Sequence, residues 1–269
     1  MPSPGVAIVI PARYQSSRYP AKPLAPLVGA SGLAKPLIQR SWECATQIAP
    51  AQAVWVATDD DRIADAVRGF GGQVVMTAAR CANGTERCAD ALARLGIEPE
   101  VVVNLQGDAP LTPPQVVTSL VDALRAASDL LMTTPAIRCA RSTYDHLVRD
   151  QAEGRVGGTT VVFGRDHRAL YFSKRVIPHL APEHGGQSFP PVHLHLGVYA
   201  YRPEALQRYV ALGPCELERL EGLEQLRFLD GGLAVGVVPF DPIGWDAIEL
   251  NNPTDVAPIE AVLKARGIE

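Results

Sequence analysis

The chain has 269 residues, of which 47% are hydrophobic and 20% are charged, and its formal net charge at pH 7 is −4. This is ordinary globular composition, and the length suits one large domain or two smaller ones. The acidic balance argues against a general nucleic-acid-binding protein, because such proteins depend on a basic surface. We therefore expect no nucleic-acid partner.

The sequence also lacks the usual signals for export and membrane insertion. The segment after Met1 has no basic residues before its first short apolar run, and no apolar run approaches the roughly 18 residues of a membrane span. The five cysteines are an odd number without a CxxC pair. We expect reduced thiols in a cytoplasmic protein without a membrane partner.

The first half of the chain alternates short apolar runs with helix-length amphipathic segments. Strands are predicted at residues 6–10, 53–58 and 101–106, and a further short strand follows the glycines at 71–72. The run "DDDR" after the second strand is typical of a helix N-terminus, because carboxylates favour the positive end of the helix dipole. Repeated strand–helix units predict a parallel sheet covered by helices.

The pattern changes after about residue 135. "GTTVVFG", "ALYFS" and "HLHLGVYAYR" resemble strands without long helices between them, one helix is predicted over 216–232, and a helix closes the chain. The predicted fold class is α/β, with a doubly wound, mostly parallel sheet and a mixed α+β second half. We expect residues 1–135 to bind nucleotide, with 136–269 binding the acceptor and forming a dimer interface, packed as one continuous catalytic domain.

The segment "PARYQSSRYPAKPL", here called the opening loop (residues 11–24), places Arg13, Arg18 and Lys22 directly after the first strand. Ligands of open α/β sheets bind beyond the carboxyl ends of the strands. Guanidinium and ammonium groups suit phosphate oxygens, so the loop predicts a polyphosphate site, with a solvated surface loop as the alternative. Neither GxxxxGK[ST] nor GxGxxG is present, which argues against a P-loop and against a dehydrogenase.

A second signal is Asp108, which ends the apolar strand of "VVVNLQGDAPL". A carboxylate beside a polyphosphate needs a reason, because like charges repel. A divalent cation between them, usually Mg²⁺ on oxygen ligands, supplies that reason. The alternative is that Asp108 only caps the turn.

Several motifs then resemble one known family in order and spacing. They are "IPARYQSSRYPAKPL", "NGTERCADAL", "VNLQGDAPL", "ALYFSK", "HLGVYAYR" and "CELERLEGLEQLR", and the family is the 3-deoxy-manno-octulosonate (KDO) cytidylyltransferases. The resemblance covers nearly the whole chain. It implies a Rossmann-like fold of the nucleotide-diphospho-sugar transferase type and a homodimer. It also implies CMP transfer from CTP to an anionic sugar acid, with pyrophosphate release and a requirement for Mg²⁺.

The resemblance also implies roles for individual residues. The opening loop would hold the triphosphate, the "NGT" turn and Gln106 would lie at the nucleotide, and residues of the second half would line the acceptor pocket. The positions at the triphosphate are Arg13, Ser16, Ser17 and Lys22, and the residues that would carry catalysis are Arg13, Lys22 and Asp108. The positions at the cytidine are Asn83, Gly84, Thr85 and Gln106. The positions at the acceptor are His195, Tyr199, Glu224 and Gln225.

Some positions depart from the family pattern. Asn251 stands where the family has a second metal-binding aspartate, so the implied metal ligands are Asp108, Asn251 and Glu249. Thr160, included among the acceptor residues, replaces a usual lysine. Asn83 replaces a serine, and the insertion "VGASGL" lengthens the loop after Leu27.

These departures leave the acceptor open. The chain could use KDO or a similar sugar acid, or it could use a small phosphonate such as phosphonoformate in natural-product biosynthesis. For the phosphonate, Gly157 and Gly158 would expose backbone N–H groups while Thr159 and Thr160 added hydroxyl donors. A non-catalytic nucleotide-binding protein is an alternative of another class, suggested by Asn251.

Overall fold

The computed structural model describes residues 5–15, 19–181, 184, 186–242 and 249–269. The chain divides into two compact units. Unit 1 comprises Met1–Thr118, Tyr201–Leu206 and Trp245–Glu269, and unit 2 comprises Ser119–Ala200 and Gln207–Gly244. Compactness does not say which residues bind which substrate, so the functional boundary at residue 135 stays a prediction.

Unit 1 contains the predicted parallel sheet. Its strands pair in the order β5–β4–β1–β6, all of them parallel. Their bounds are β1 Val6–Ala12, β4 Ala53–Thr58, β5 Gln73–Met76 and β6 Val101–Leu105. Every residue of β6 is buried, and β1 is nearly as buried. Continuous apolar strands of this kind suit a parallel sheet covered on both faces.

Unit 1 also contains a hairpin and several helices, and the chain crosses the boundary between the units within α4. These elements are the hairpin strands β2 Pro26–Val28 and β3 Ala34–Pro36, and the helices α1 Leu37–Thr46, α2 Asp61–Gly69, α3 Gly84–Leu95, α4 Pro114–Ala126 and α9 Val256–Ala265. Asp60 caps α2 by accepting a hydrogen bond from the Arg62 amide. The helix start predicted at "DDDR" is therefore confirmed.

Unit 2 contains the predicted mixed sheet. Strand β7 pairs in parallel with β12 and antiparallel with β10, and the series continues antiparallel through β8 to β9. The strands of this part of the chain are β7 Met132–Arg138, β8 Thr159–Phe163, β9 Ala169–Ser173, β10 His193–His195, β11 Val198–Tyr201 and β12 Val235–Phe240.

As predicted, the described residues contain no long helix between β8, β9, β10 and β11. Two helices on either side of this series, α5 Arg141–Ala152 and α6 Pro203–Leu212, were not predicted. Helix α5 escaped notice because only two of its twelve residues are buried, which leaves little apolar periodicity. The helix predicted over 216–232 is two helices, α7 Glu216–Glu221 and α8 Leu226–Asp230, because Gly222 between them has a φ of +60°.

Among the residues that the structure describes, no helix combines the length and the apolar composition needed to cross a membrane. All five cysteines are free of disulfide bonds. Burial raises the pKa of the Cys44 thiol to about 12 and that of Cys139 to about 11. Because the thiolate is the reactive form, these two side chains behave as small apolar residues.

Candidate functional site

A cation and a carboxylate meet where β1 and β6 end. Lys22 begins a short 3-10 turn in the opening loop, and its Nζ lies 2.5 Å from Oδ2 of Asp108. The two side chains are 15% and 23% exposed. Both groups therefore remain within reach of a ligand while they neutralise each other. The structure brings together the two residues that the sequence analysis placed at the triphosphate and the metal.

The close approach of the two strand ends depends on Gly107. A Cβ atom at this position would lie 2.8 Å from the carbonyl oxygen of Pro11, which is too close for any real side chain. The Ser41 hydroxyl also donates a hydrogen bond to the Gly107 carbonyl at 2.9 Å. The absence of a side chain thus lets the turn carrying Asp108 pack against the opening loop.

The segment 249–251 joins this site from the end of the chain. The Leu250 amide donates a hydrogen bond to the Asp108 carbonyl at 2.9 Å. Beside it, the Asn251 side-chain amide donates to Oε2 of Glu249 at 3.4 Å. The three predicted metal ligands therefore belong to two backbone segments that are hydrogen-bonded to each other.

The chemistry of this donor set fits Mg²⁺, which prefers oxygen ligands and keeps several waters. The set offers two carboxylates and one amide oxygen. Within the described ranges there is no group of three His, Cys, Asp or Glu residues that could hold a metal. A magnesium site built from these residues would therefore need the Asn251 amide oxygen or ligands from the substrate.

The rest of the opening loop is partly described. Arg13 is exposed, and the ring of Tyr14 lies 3.3 Å from the guanidinium carbon of Arg62 at the start of α2. Ser16 and Ser17, which the resemblance places at the triphosphate, lie outside the described residues.

The "NGT" turn forms the N-terminus of α3. The Asn83 side chain accepts a hydrogen bond from the Glu86 amide at 2.9 Å, and Gly84 is the first helical residue. The hydroxyl of Thr85 is buried and lies 2.8 Å from the hydroxyl of Tyr201. Asn and Ser are both good N-caps, so the replacement of the family's serine by Asn83 preserves this local structure.

Gln106 follows β6 on the same side of the strand as Asn104. Its amide nitrogen lies 3.4 Å from Oδ1 of Asn104, which is fully buried. The Nδ2 atom of Asn104 has no hydrogen-bond partner among the described residues. A polar side chain within an apolar strand is unusual. Asn104 lies four residues before Asp108, and Gln106 lies two residues before it.

His195 in unit 2 is held by a short hydrogen-bond chain. The Thr134 hydroxyl donates to the Val198 carbonyl at 2.8 Å, and it lies 2.9 Å from Nε2 of His195. Because the hydroxyl proton is already used, Nε2 carries the hydrogen and donates it to Thr134. Burial lowers the pKa of His195 to about 3. The ring of His195 is therefore neutral at pH 7.

Tyr199 and Gln225 form a second buried pair in unit 2. The Tyr199 hydroxyl donates to Oε1 of Gln225 at 3.2 Å. Gln225 is 2% exposed, and its Nε2 has no hydrogen-bond partner among the described residues. A buried amide donor without a partner is costly, so Gln225 is suited to donate to a ligand. Glu224 precedes it in the turn that starts α8.

Comparison with known proteins agrees with this arrangement. A family model described as cytidylyltransferase matches residues 7–235. A 3-deoxy-manno-octulosonate cytidylyltransferase from Maricaulis maris is 44% identical over 97% of this chain and 98% of its own length. The chain belongs to the 3-deoxy-manno-octulosonate cytidylyltransferase family. It is therefore a cytidylyltransferase, a CTP-dependent nucleotidyltransferase.

Two further matches show the breadth of this cytidylyltransferase family. An 8-amino-3,8-dideoxy-manno-octulosonate cytidylyltransferase from Shewanella halifaxensis is 40% identical over 96% of this chain and 98% of its own length. The solved structure of a CMP-2-keto-3-deoxy-manno-octonic acid synthetase complexed with CTP superimposes with a TM-score of 0.81. That structure is 32% identical and covers 97% of this chain and 99% of its own. The predicted fold class and the family resemblance are confirmed.

Membership of the cytidylyltransferase family directs attention to the position where the lysine is missing. The Thr160 hydroxyl donates to the Arg175 carbonyl at 2.6 Å and accepts from the Ile177 amide at 3.1 Å. A Cβ atom on Gly157 would lie 2.9 Å from a carboxylate oxygen of Asp150, and one on Gly158 would lie 2.7 Å from Leu194. Internal packing accounts for all three residues. The argument for a compact phosphonate site therefore loses its support, although a role of Thr160 at the acceptor stays a prediction.

The sequence analysis of this cytidylyltransferase missed one cation, Lys174. Its backbone amide donates to Oε2 of Glu221 at 3.0 Å, and its Nζ lies 2.7 Å from where a Cβ atom of Gly222 would be. The side chain therefore reaches the turn that leads to Glu224 and Gln225. Among the described residues, its ammonium group has no ion-pair partner. The sequence contained the information needed to identify Lys174, because the "ALYFSK" motif ends in this lysine.

Proposed function

We propose that this chain transfers CMP from CTP to 3-deoxy-manno-octulosonate or to its 8-amino analogue, with release of pyrophosphate. The names of relatives at 44% and 40% identity support these two acceptors. The observation that carries the proposal is the Lys22–Asp108 pair at the strand ends. It offers an ammonium group to phosphate oxygens and a carboxylate to a metal in one place.

On this proposal the anionic triphosphate replaces the Asp108 carboxylate as the partner of Lys22. Lys22 leaves the carboxylate and binds phosphate oxygens, and the exposed Arg13 adds a second cation. Charge-assisted hydrogen bonds of this kind are among the strongest available to a protein. Ser16 and Ser17 would complete the triphosphate loop, while Gln106 and the start of α3 at Asn83, Gly84 and Thr85 would face the cytidine.

Asp108, Glu249 and Asn251 would hold Mg²⁺. When bound, the ion would neutralise negative charge on the phosphate oxygens. Lys22 is suited to neutralise Asp108 while the site holds no cation, which limits the cost of grouping the carboxylates. The leaving pyrophosphate carries additional negative charge, and Lys22 and Arg13 would stabilise it electrostatically.

The reaction needs no nucleophilic side chain. A hydroxyl oxygen of the acceptor attacks the α-phosphorus of CTP and its proton is released to solvent. The bond between that phosphorus and the bridging oxygen breaks, and pyrophosphate leaves in line. The protein contributes mostly by positioning the two anions and by offsetting their charge. The absence of a reactive thiol at Cys44 and Cys139, whose pKa values are raised by burial, agrees with this division of labour.

The acceptor would be bound by the polar residues of unit 2. We assign its carboxylate to Lys174, since this cation lies against the turn that carries Glu224 and Gln225. Nε2 of Gln225 would donate to a sugar hydroxyl, and Glu224 would accept from one. The neutral ring of His195, with its hydrogen on Nε2, leaves Nδ1 as an acceptor for another hydroxyl.

A homodimer and a cytoplasmic location complete the proposal. Two leucines of unit 2 support a contact with a second copy of the chain, because Leu170 on β9 is 66% exposed and Leu220 on α7 is 75% exposed. Sedimentation at micromolar concentration should give twice the chain mass of 28.8 kDa. A monomer at all accessible concentrations would contradict the dimer.

The direct test is pyrophosphate release with Mg²⁺ and purified protein. CTP should be preferred over UTP, ATP and GTP, and KDO or its 8-amino analogue should be turned over in preference to phosphonoformate. Preference for phosphonoformate would reject the assigned acceptor. Binding of CTP without turnover of any of the three acids would favour a nucleotide-binding protein that has lost catalysis.

A further inference from the structure

The insertion after Leu27 has a specific partner in unit 1. Residues 28–33 form the end of the β2–β3 hairpin, which lies against α9 and the residues that follow it. The Val28 amide donates to Oε1 of Glu260 at 2.8 Å, and the Ala30 amide donates to the Ile268 carbonyl at 2.9 Å. A side chain at Gly29 would collide with the backbone of Glu269, so the two segments are in close contact.

The same helix packs into an apolar cluster that reaches the candidate site. Its members come from the hairpin, from α1, from the turn after Asp108, from the segment 249–251 and from α9. They are Ala25, Leu27, Leu37, Leu111, Leu250, Ile259 and Leu263. Leu250 is fully buried in this cluster, and it lies between the two proposed metal ligands of its segment. Burial of Leu250 therefore limits the positions that its neighbours can take.

Asp255 fixes the same segment by hydrogen bonds. Its Oδ2 accepts from the Asn251 amide at 2.9 Å and from the Asn252 amide at 2.6 Å, and Asn252 caps the turn in return. The backbone of Asn251 is thus held from both sides, by Leu250 in the apolar cluster and by Asp255 in front of α9. Two independent kinds of contact converge on one segment.

We propose that α9, braced by the β2–β3 hairpin, is a positioning element that holds Glu249 and Asn251 against Asp108. This inference rests on the proposed Mg²⁺ site. Its physical basis is that a neutral amide is a weaker metal ligand than a carboxylate, so preorganisation matters more where Asn251 replaces aspartate. Ile259 and Asp255 act through other residues, and neither has to touch the substrate.

The first test compares two cavity variants of unit 1. Ile259→Ala empties part of the apolar cluster, and Ile63→Ala empties a fully buried position on α2 outside it. Mn²⁺, as a probe for Mg²⁺, is titrated into each protein with CTP present and measured by electron paramagnetic resonance. Indirect supports of metal ligands typically change affinity by about 10-fold or more, so we expect Ile259→Ala to bind Mn²⁺ about 10-fold more weakly. Ile63→Ala should bind Mn²⁺ like the wild type.

A second pair keeps the inference testable if Ile259→Ala fails to fold. Asp255→Ala removes both hydrogen bonds to the segment, whereas Asp255→Asn keeps an oxygen that can accept them. Weaker Mn²⁺ binding in the first variant and near-normal binding in the second would support the positioning role. Equal binding in Asp255→Ala and the wild type would overturn it.

Failure of the metal site itself gives a different result. If the wild type binds no Mn²⁺, or if Asp108→Asn binds it as well as the wild type, the proposed Mg²⁺ site is rejected together with the role of α9. If Asp108→Asn loses Mn²⁺ binding while Ile259→Ala and Asp255→Ala keep it, only the role of α9 is rejected.

Discussion

The polar residues proposed to bind substrates differ in charge and in burial between the two units. In unit 1, Lys22 and Asp108 are charged and partly exposed, and they pair with each other at 2.5 Å. In unit 2, His195 and Gln225 are neutral and almost fully buried, and each is tied to a hydroxyl group. A partly exposed ion pair can exchange partners when a ligand arrives, because water screens the intermediate states. Buried neutral groups keep their geometry, because leaving them unpaired is costly.

The largest expected effect tests the Lys22–Asp108 pair of unit 1. Lys22→Ala should lower kcat/KM for CTP by roughly 10- to 100-fold, since a charge-assisted contact is worth roughly 1.5–3 kcal/mol. The matched control is Lys35→Ala. Lys35 pairs with Glu43 at 2.9 Å and is 16% exposed, so the control removes a similar ion pair away from the strand ends.

Steady-state kinetics with varied CTP measures both variants, and thermal unfolding confirms that they fold. Equal kinetics for Lys22→Ala and Lys35→Ala would mean that Lys22 only neutralises Asp108. The opening loop would then be a surface loop, which was the alternative left open by the sequence.

The charged residues of unit 1 were easier to predict than the neutral residues of unit 2. Arg13, Lys22 and Asp108 follow apolar strands directly, and the carboxyl ends of parallel strands are where ligands bind. The position of a backbone segment is harder to infer, because Leu250 reaches Asp108 through packing between residues more than 100 positions apart. Pattern reasoning treats Leu250 as one more core residue.

The environment of the buried neutral residues of unit 2 could be predicted only in part from the sequence. The sequence pattern of β10 could not show that Thr134 holds His195. Nor could it show that burial lowers the pKa of His195 and keeps its ring neutral at pH 7. Gly222 broke a predicted helix, because one glycine in a left-handed conformation outweighs the helical propensity of its neighbours.

The next effect tests the burial of His195 through the pH dependence of stability. Its pKa is lowered from 6.5 to about 3 in the folded protein. Between these values the unfolded chain binds a proton that the folded chain does not, so stability falls as pH decreases below about 6.5. The linkage relation gives a loss of about 2 kcal/mol from this group between pH 7.5 and pH 5.

Urea unfolding at pH 7.5 and pH 5 of the wild type and of His195→Gln measures this contribution. The variant removes the titrating ring, so its stability should fall less with decreasing pH, by about 2 kcal/mol. Subtracting the two proteins cancels the other histidines. The same pH dependence in both proteins would show that His195 takes up a proton without opposing the fold, contrary to the buried neutral ring.

A smaller effect concerns Lys174, a cation of unit 2 that lies against the turn leading to Gln225. Lys174→Gln should raise KM for KDO by about 10-fold and leave KM for CTP unchanged, because a single charge-assisted contact to the acceptor carboxylate is lost. Lys174→Arg should restore most of the affinity. Arg175→Gln removes the neighbouring, exposed cation and serves as the control. Equal changes in KM for CTP and for KDO would place Lys174 outside the acceptor site.

The smallest effect decides whether Thr160 belongs to the structure or to the acceptor. Its hydroxyl is satisfied by the Arg175 carbonyl and the Ile177 amide, and the residue is 1% exposed. Thr160→Val keeps the shape and removes both bonds, which should cost about 1–2 kcal/mol of stability. The ratio of kcat/KM for KDO to that for phosphonoformate should not change. A shifted ratio would return Thr160 to the acceptor site and show that its bonds to the backbone open when the acceptor binds. Thr160→Lys is a poorer test, because it would force a charge into a buried position and the fold itself would respond.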